Sequence, residues 1–221
     1  MKWYLDFGHG GKDPGALGTN KTKESDTVLK IGMLIKNNLE QAFEKVITTR
    51  EYDKYYSLDH RSSKANKENC DYFVSIHMNS STNKSAKGVE VWVYDEKSKL
   101  YTLSKDICTN LSKDINTPNR GVKISKNFSV LKKTKMPALL IEIDFISNTS
   151  VEASLKSDIY IKNIATSISK SLLTFVNKSI VDDGIFYRVC IGEFKDMSAA
   201  VELKNTAISK GFNNTHIINS L

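Results

Sequence analysis

Close pairs of cysteines are missing from this chain: Cys70, Cys108 and Cys190 stand far apart and odd in number. Thiolate metal sites normally need a pair such as C-x-x-C, so a cysteine-held metal is excluded. Each cysteine instead reads as a small buried hydrophobe, folded in a reducing compartment. No run approaches the roughly 18–20 apolar residues that a membrane span requires. The start lacks an apolar signal core and a cleavage site, because Met1-Lys2 runs straight into Trp3-Tyr4-Leu5-Asp6-Phe7. Synthesis in the cytoplasm without a standard export signal is therefore the expectation. No block of Lys and Arg is interleaved with aromatics, which removes the usual signature of a nucleic-acid binder.

What is present describes a folded protein. Of 221 residues, 40% are hydrophobic and 26% charged, which excludes disordered and collagen-like chains. Domains of about 100–200 residues allow one sizeable domain and a short appendage. The net charge is +7, and residues 181–221 contribute none of the excess, with four Lys/Arg against five Asp/Glu. Such a surface suits polyanions as different as nucleic acid, anionic lipid and wall teichoic acid. Most of the basic residues read as solvated helix faces.

Apolar and β-branched runs predict strands at Lys2–Phe7, Lys45–Thr49, Tyr72–His77, Gly88–Tyr94 and Ala138–Ile143. Between them, Val28, Ile31, Ile35, Leu39 and Phe43 fall on one helical face. A second helix starts after Ser57, a good N-cap, and a third covers Asp158–Val176. This alternation predicts an α/β fold with a mainly parallel central sheet flanked by helices. Pro137–Phe145 is almost continuously apolar, as in a strand covered on both faces, whereas Val89–Tyr94 alternates as if one face were polar. The predicted domains are 1–178, a linker at 179–184, and a small β-α-β module at 185–221. That module has strands at Ile185–Ile191 and Thr215–Asn219 around a helix at Ser198–Lys210.

Three chemically active side chains occupy comparable places. His9 follows the first strand, His77 ends the third, and Glu142 lies toward the end of the strand that starts at Ala138. Ligands in open α/β sheets bind beyond the carboxyl ends of the strands, so parallel pairing would let all three converge. Two imidazoles and a carboxylate such as Glu24 can hold Zn²⁺ with a position left for water. Glycines at 8, 10, 11, 15 and 18 let the intervening loop run close to a metal or substrate. Glu142, among Leu140, Ile141 and Ile143, then suits a general base, because apolar surroundings raise a carboxyl pKa. Taken singly, each residue also has a plain reading: a structural histidine at a strand end, or a Glu24 that complements a helix dipole. Asn79, two residues past His77, either contacts substrate or caps a local turn. His60 and His216 carry no assigned role.

The segments Asp6-Phe-Gly-His-Gly-Gly-Lys-Asp-Pro-Gly-Ala16, Lys23-Glu24-Ser25 and Thr49-Arg50 occur here with Leu58-Asp-His-Arg61. Phe73-Val-Ser-Ile-His77-Met-Asn79, Gly88-Val-Glu-Val, Arg120-Gly-Val and Pro137–Asn148 follow in order. Over about residues 1–178 the chain thereby resembles the zinc-dependent N-acetylmuramoyl-L-alanine amidases of sporulation autolysins, cell-division amidases and phage endolysins. The resemblance implies Zn²⁺ held by His9, Glu24 and His77, with Glu142 as the catalytic carboxylate. It also implies hydrolysis of the amide between N-acetylmuramic acid and L-alanine, on bacterial wall reached after release from the cell. Phe7 stands where the family often has Pro, and Asp144 where it has Gly. Phe186–Asp196 and Lys210-Gly-Phe212 resemble half of a sporulation-related repeat that binds peptidoglycan; two chains pairing their halves in a homodimer would complete the two-half module, and the alternative is a tail packed on the catalytic domain. The rival expectations are a zinc peptidase acting within the stem peptide and a non-catalytic wall-binding protein.

Overall fold

The computed structural model describes residues 1–180, 192–212, 215 and 217. In chain order the elements are β1 (Lys2–Phe7), α1 (Glu24–Gln41), β2 (Lys45–Thr48), α2 (Leu58–Lys67), β3 (Tyr72–Asn79) and β4 (Val89–Val93). There follow α3 (Tyr101–Asp114), β5 (Asn119–Ile124), α4 (Ser129–Lys133), β6 (Ala138–Phe145), α5 (Thr149–Ser154), α6 (Asp158–Phe175) and α7 (Met197–Ser209). The six strands form one sheet in the order β2-β1-β3-β6-β4-β5. Neighbours among β2, β1, β3 and β6 are parallel, β4 is antiparallel to β6, and β5 is parallel to β4. The mainly parallel α/β expectation holds.

Strand alternation divides the core. Trp3, Leu5 and Phe7 of β1, Val74, Ile76 and Met78 of β3, and Leu139, Ile141 and Ile143 of β6 join one apolar cluster with α1, α3 and α6. Tyr4, Phe73, Ala138 and Leu140 face the other way, onto Ala65 of α2 and Val130 and Leu131 of α4. On this second face the strands change character toward their carboxyl ends: Tyr4 gives way to Asp6, Phe73 to Ser75 and His77, and Leu140 to Glu142. One face is apolar to its edge, and the other turns polar where a site can open.

One sequence expectation needs correcting, and the structure adds detail to others. Phe43 does not extend the apolar face of α1; the helix ends at Gln41, and Phe43 sits 83% exposed at a φ of 59° in the turn to β2. The large apolar side chains buried on this helix are Val28, Ile31, Ile35 and Leu39. On the polar face of β4, Glu90 is buried and ion-paired. Helix α3 and strand β5 were not anticipated, although Leu103, Ile107 and Leu111 keep helical spacing on a buried side. Ser57 does cap α2, accepting a bond from the His60 amide at 3.2 Å.

The chain divides into two compact units, Met1–Val181 and Asp182–Leu221. In the second, the Asp196 carboxylate caps α7 by accepting from the Ala199 amide at 3.1 Å. The expected strand Ile185–Ile191 lies outside the described residues, as do all of Thr215–Asn219 except Thr215 and Ile217, and also Cys190 and His216. Cys70 and Cys108 are buried free thiols, and burial pushes the Cys108 thiol up to about 11. Among the described residues no helix is long and apolar enough to cross a membrane.

Candidate metal centre

Parallel pairing of β1, β3 and β6 brings the sequence-predicted residues to one sheet edge. Glu142 sits directly opposite His77 in the β3–β6 register. His9 lies in the loop beyond β1, and Glu24 is the first residue of α1. One ligand atom from each of His9, Glu24 and His77 lies within 4.8 Å of the others. The two imidazole rings meet edge to face with centroids 5.0 Å apart. Glu24 Oε1 lies between them, 3.2 Å from His9 Nε2 and 2.9 Å from His77 Nδ1.

Each donor is held from behind. The Ala16 amide donates to Glu24 Oε2 at 2.8 Å and the Met78 amide to Oε1 at 3.0 Å. His9 Nδ1 bonds Asp13 Oδ2 at 2.9 Å, and Asp13 Oδ1 accepts from the Gly15 amide at 3.1 Å. A carboxylate behind an imidazole fixes its orientation, the usual second layer of a metal site. The backbone approaches so closely that two glycines are obligatory: a Cβ on Gly8 would lie 2.3 Å from the His77 ring, and one on Gly15 2.6 Å from His9 and Glu24. His9 itself takes a φ of 59°, rare for a residue with a Cβ.

That strained turn is fixed by two buried arginines. Arg61 donates to Asp6 Oδ1 at 2.7 Å, to the Phe7 carbonyl at 2.8 Å and to the His9 carbonyl at 2.9 Å. Arg50 donates to the carbonyls of Phe7, Gly8 and Ser25 at 3.2, 2.9 and 2.7 Å. Thr49 and Ser75 hydroxyls complete the shell of Asp6 at 2.6 and 2.8 Å. Burial alone would raise the Asp6 pKa, but Arg61 and these hydroxyls outweigh it and hold the carboxylate ionised. Farther along the loop, buried Glu152 of α5 gathers the amides of Asn20 and Thr22 at 2.9 and 3.1 Å. Arg50, Arg61, Asp13 and Glu152 thus have positioning roles that the sequence reading did not assign. Asp13 stands in the glycine-rich loop and Arg50 and Arg61 in segments that carry the family resemblance, whereas nothing beside Glu152 in sequence announces it.

Charge in the cluster follows from its geometry. Burial raises the pKa of Glu24, but bonds from His77 and His9 overcome it and keep the carboxyl below its ordinary range. Burial lowers His9, while Glu24 and Asp13 more than compensate and bring it to about 9. The same contest raises His77. Glu142 goes the other way: burial lifts it to about 7, opposed by His77 and reinforced by Glu24 and Glu90. Its Oε2 is buried with no hydrogen-bond partner, an orphan acceptor that calls for a ligand. Asp144, one residue beyond Ile143, accepts from the Gly88 and Phe145 amides and the Thr117 hydroxyl at 2.7, 2.8 and 2.6 Å, so its carboxylate is fully engaged. Asn79 is engaged too: its Oδ1 accepts from the Ser80 amide at 2.7 Å and its Nδ2 donates to Glu90 at 3.2 Å. His60 is exposed and stacks on Tyr56, away from the cluster.

A three-donor cluster and a carboxylate with an unbonded buried oxygen lie together at the carboxyl edge of an α/β sheet, where ligands of such folds bind. The chain belongs to the N-acetylmuramoyl-L-alanine amidase family, whose model matches residues 4–174. It is 34% identical over 215 residues to the sporulation-specific N-acetylmuramoyl-L-alanine amidase of Bacillus subtilis (strain 168), covering 96% of this chain and 82% of that protein. It is 35% identical over 181 residues to the endolysin of Bacillus phage SPP1, covering 79% of this chain and 65% of the endolysin. The solved N-acetylmuramoyl-L-alanine amidase AmiC2 of Nostoc punctiforme superposes with a TM-score of 0.75 at 32% identity, covering 80% of this chain and 98% of that one. Membership makes the chain a peptidoglycan amidase.

Proposed function

We propose that the protein cleaves the amide between N-acetylmuramic acid and L-alanine as a zinc enzyme, with His9, Glu24 and His77 as ligands and Glu142 as the proton carrier. The observation that carries this reading is the pairing of three converging N/O donors with one buried, unbonded carboxylate oxygen. Two imidazoles and one carboxylate match the donor set of catalytic zinc sites, which keep a position open. When bound, the ion supplies Lewis acidity for the scissile carbonyl and an acidified water.

The chain's own residues do the rest. Asp13 holds the His9 ring through Nδ1, which leaves Nε2 turned toward Glu24 and the cluster. The Ala16 and Met78 amides fix both oxygens of Glu24. Glu142, with a pKa of about 7, takes the proton of the attacking water and returns it to the departing alanine nitrogen. We also infer that the second unit, Asp182–Leu221, serves wall attachment, and that the protein acts at the wall after release; the sporulation and endolysin relatives support this setting.

Digestion of purified walls tests the activity. New N-terminal alanine without new reducing sugar, suppressed by chelator and restored by zinc, is the expected result. Release of a different amine would favour a peptidase instead. Wall binding without any cleavage would mark a binding protein.

A further inference from the structure

The polar row on the sheet does not stop at Glu142. Glu142 lies opposite Glu90 in the antiparallel β4–β6 pair, so the two side chains share a face on neighbouring strands. On the far side of β4, β5 begins with Asn119 opposite Val89, which brings Arg120 alongside Glu90. Buried Glu90 is satisfied at both oxygens: Arg120 Nε donates to Oε1 at 2.6 Å, and Asn79 Nδ2 to Oε2 at 3.2 Å.

The Arg120 side chain is confined along its whole length. A Cβ on Gly88 would stand 2.7 Å from its Cγ and Cδ, so glycine is what lets the stem lie there. Its guanidinium carbon is 5.1 Å from the centre of the Phe145 ring. Only Nε is used. Among the described residues neither terminal amino group meets an acceptor, and the side chain is 42% exposed. Neutralising Glu90 needs one donor, and the planar fork left over is the shape that binds a carboxylate through two parallel bonds. With the stem already ordered, little side-chain entropy remains to be lost on binding.

The geometry points to Arg120 as the residue that selects substrate by a free carboxylate on the peptide side of the scissile amide, with Glu90 and Asn79 as positioning residues. This rests on the amidase reading above. Two strand spacings separate Arg120 from Glu142, about 10 Å at roughly 4.8 Å each. In a stem peptide, a free carboxylate on the residue after L-alanine lies about 7 Å from the scissile nitrogen, at roughly 3.3–3.6 Å per residue. The length of the arginine side chain covers the difference. The selected group is therefore the α-carboxylate of a γ-linked D-glutamate, and its amide is the disfavoured form.

The test compares two soluble substrates, N-acetylmuramoyl-L-alanyl-γ-D-glutamyl-L-lysine and the same peptide with the D-glutamate α-carboxyl amidated. Affinity is measured by calorimetry in the Glu142→Gln background, which slows turnover, and KM and kcat are measured with Glu142 intact. The free acid is expected to bind about tenfold more tightly, with the difference in KM rather than kcat. Arg120→Gln should bring the ratio near one, through a rise in KM for the acid form. Arg120→Lys, which retains a cation beside Glu90 without the planar fork, should lose part of the preference, and it guards against misfolding of the glutamine variant. A purely structural role would lower kcat equally on both peptides and leave the ratio unchanged. An unchanged ratio in both variants, or no preference in a wild type that still cuts the muramoyl–alanine bond, overturns the assignment and spares the amidase reading. Failure of the wild type to cut either peptide or whole walls overturns both.

Discussion

Two buried acidic residues in the same sheet are each paired with an arginine, and the pairs are built differently. In the parallel half, Asp6 meets Arg61, and both are sealed in protein. Every arm of Arg61 is committed, to Asp6 and to the carbonyls of Tyr56, Phe7 and His9. In the half joined antiparallel, Glu90 meets Arg120, which commits one nitrogen and keeps its outer edge half-exposed. A fully engaged arginine is scaffold: it fixes where His9 turns. An arginine with donors to spare faces something that arrives from outside.

That contrast ranks the expected effects. Removing a proposed ligand should do most: His77→Ala is expected to lose bound zinc by elemental analysis and with it all wall-lytic activity. Glu142→Gln should retain the metal and lose about 10²–10⁴ in kcat. A variant with near wild-type turnover would reassign the base. Breaking the scaffold pair comes next. Arg61→Met strands the Asp6 charge in the interior, and denaturant unfolding should show a loss of about 3–5 kcal/mol. Arg120→Gln, where the arginine is partly exposed and the new amide can still donate to Glu90, should cost less than Arg61→Met. Equal losses would erase the distinction between the halves. Asp13→Ala should act only through the ring it holds, weakening zinc about 10–100-fold with the fold intact.

A separate effect is a pH dependence of stability in the metal-free protein. Burial raises Glu142 from its ordinary 4.5 to about 7, so the folded state holds that proton more tightly than the unfolded chain. Its contribution to stability is complete below the unfolded value and is lost as pH rises through about 7. Glu142→Gln should therefore melt higher than wild type at pH 8, by no more than about 3 kcal/mol, and the advantage should fade by pH 4. A constant gap across that range would point to packing instead.

Much of the parallel half was legible in the sequence, because its signals are local. The strands later observed as β1, β3 and β6 alternate residues that pack on one helix layer with residues that change from aromatic or aliphatic to polar along the chain. Tyr4 to Asp6, Phe73 to His77 and Leu140 to Glu142 all make that change in the same direction, which foretells a polar edge. The antiparallel half was legible only in part: the strand expected at Gly88–Tyr94 is observed as β4, but its neighbour β5 was not foreseen. Its β5, Asn119–Ile124, is an edge strand whose sequence is polar and only partly buried, so it lacks an apolar run. The role of Glu90 was not foreseen, because nothing nearby in sequence announces Arg120, thirty residues on, as its partner. Phe43 misled in the opposite way: a large apolar side chain in helical phase can sit past the helix end, where the backbone turns left-handed.

The central claim is that one zinc ion lies among His9, Glu24 and His77. Crystals grown with zinc and measured on either side of its absorption edge test it directly. The account predicts one strong anomalous peak about 2.0–2.2 Å from a nitrogen of each histidine and an oxygen of Glu24, with Glu142 outside the ligand set. A peak at another place, or none at this cluster while zinc supports activity, would contradict it.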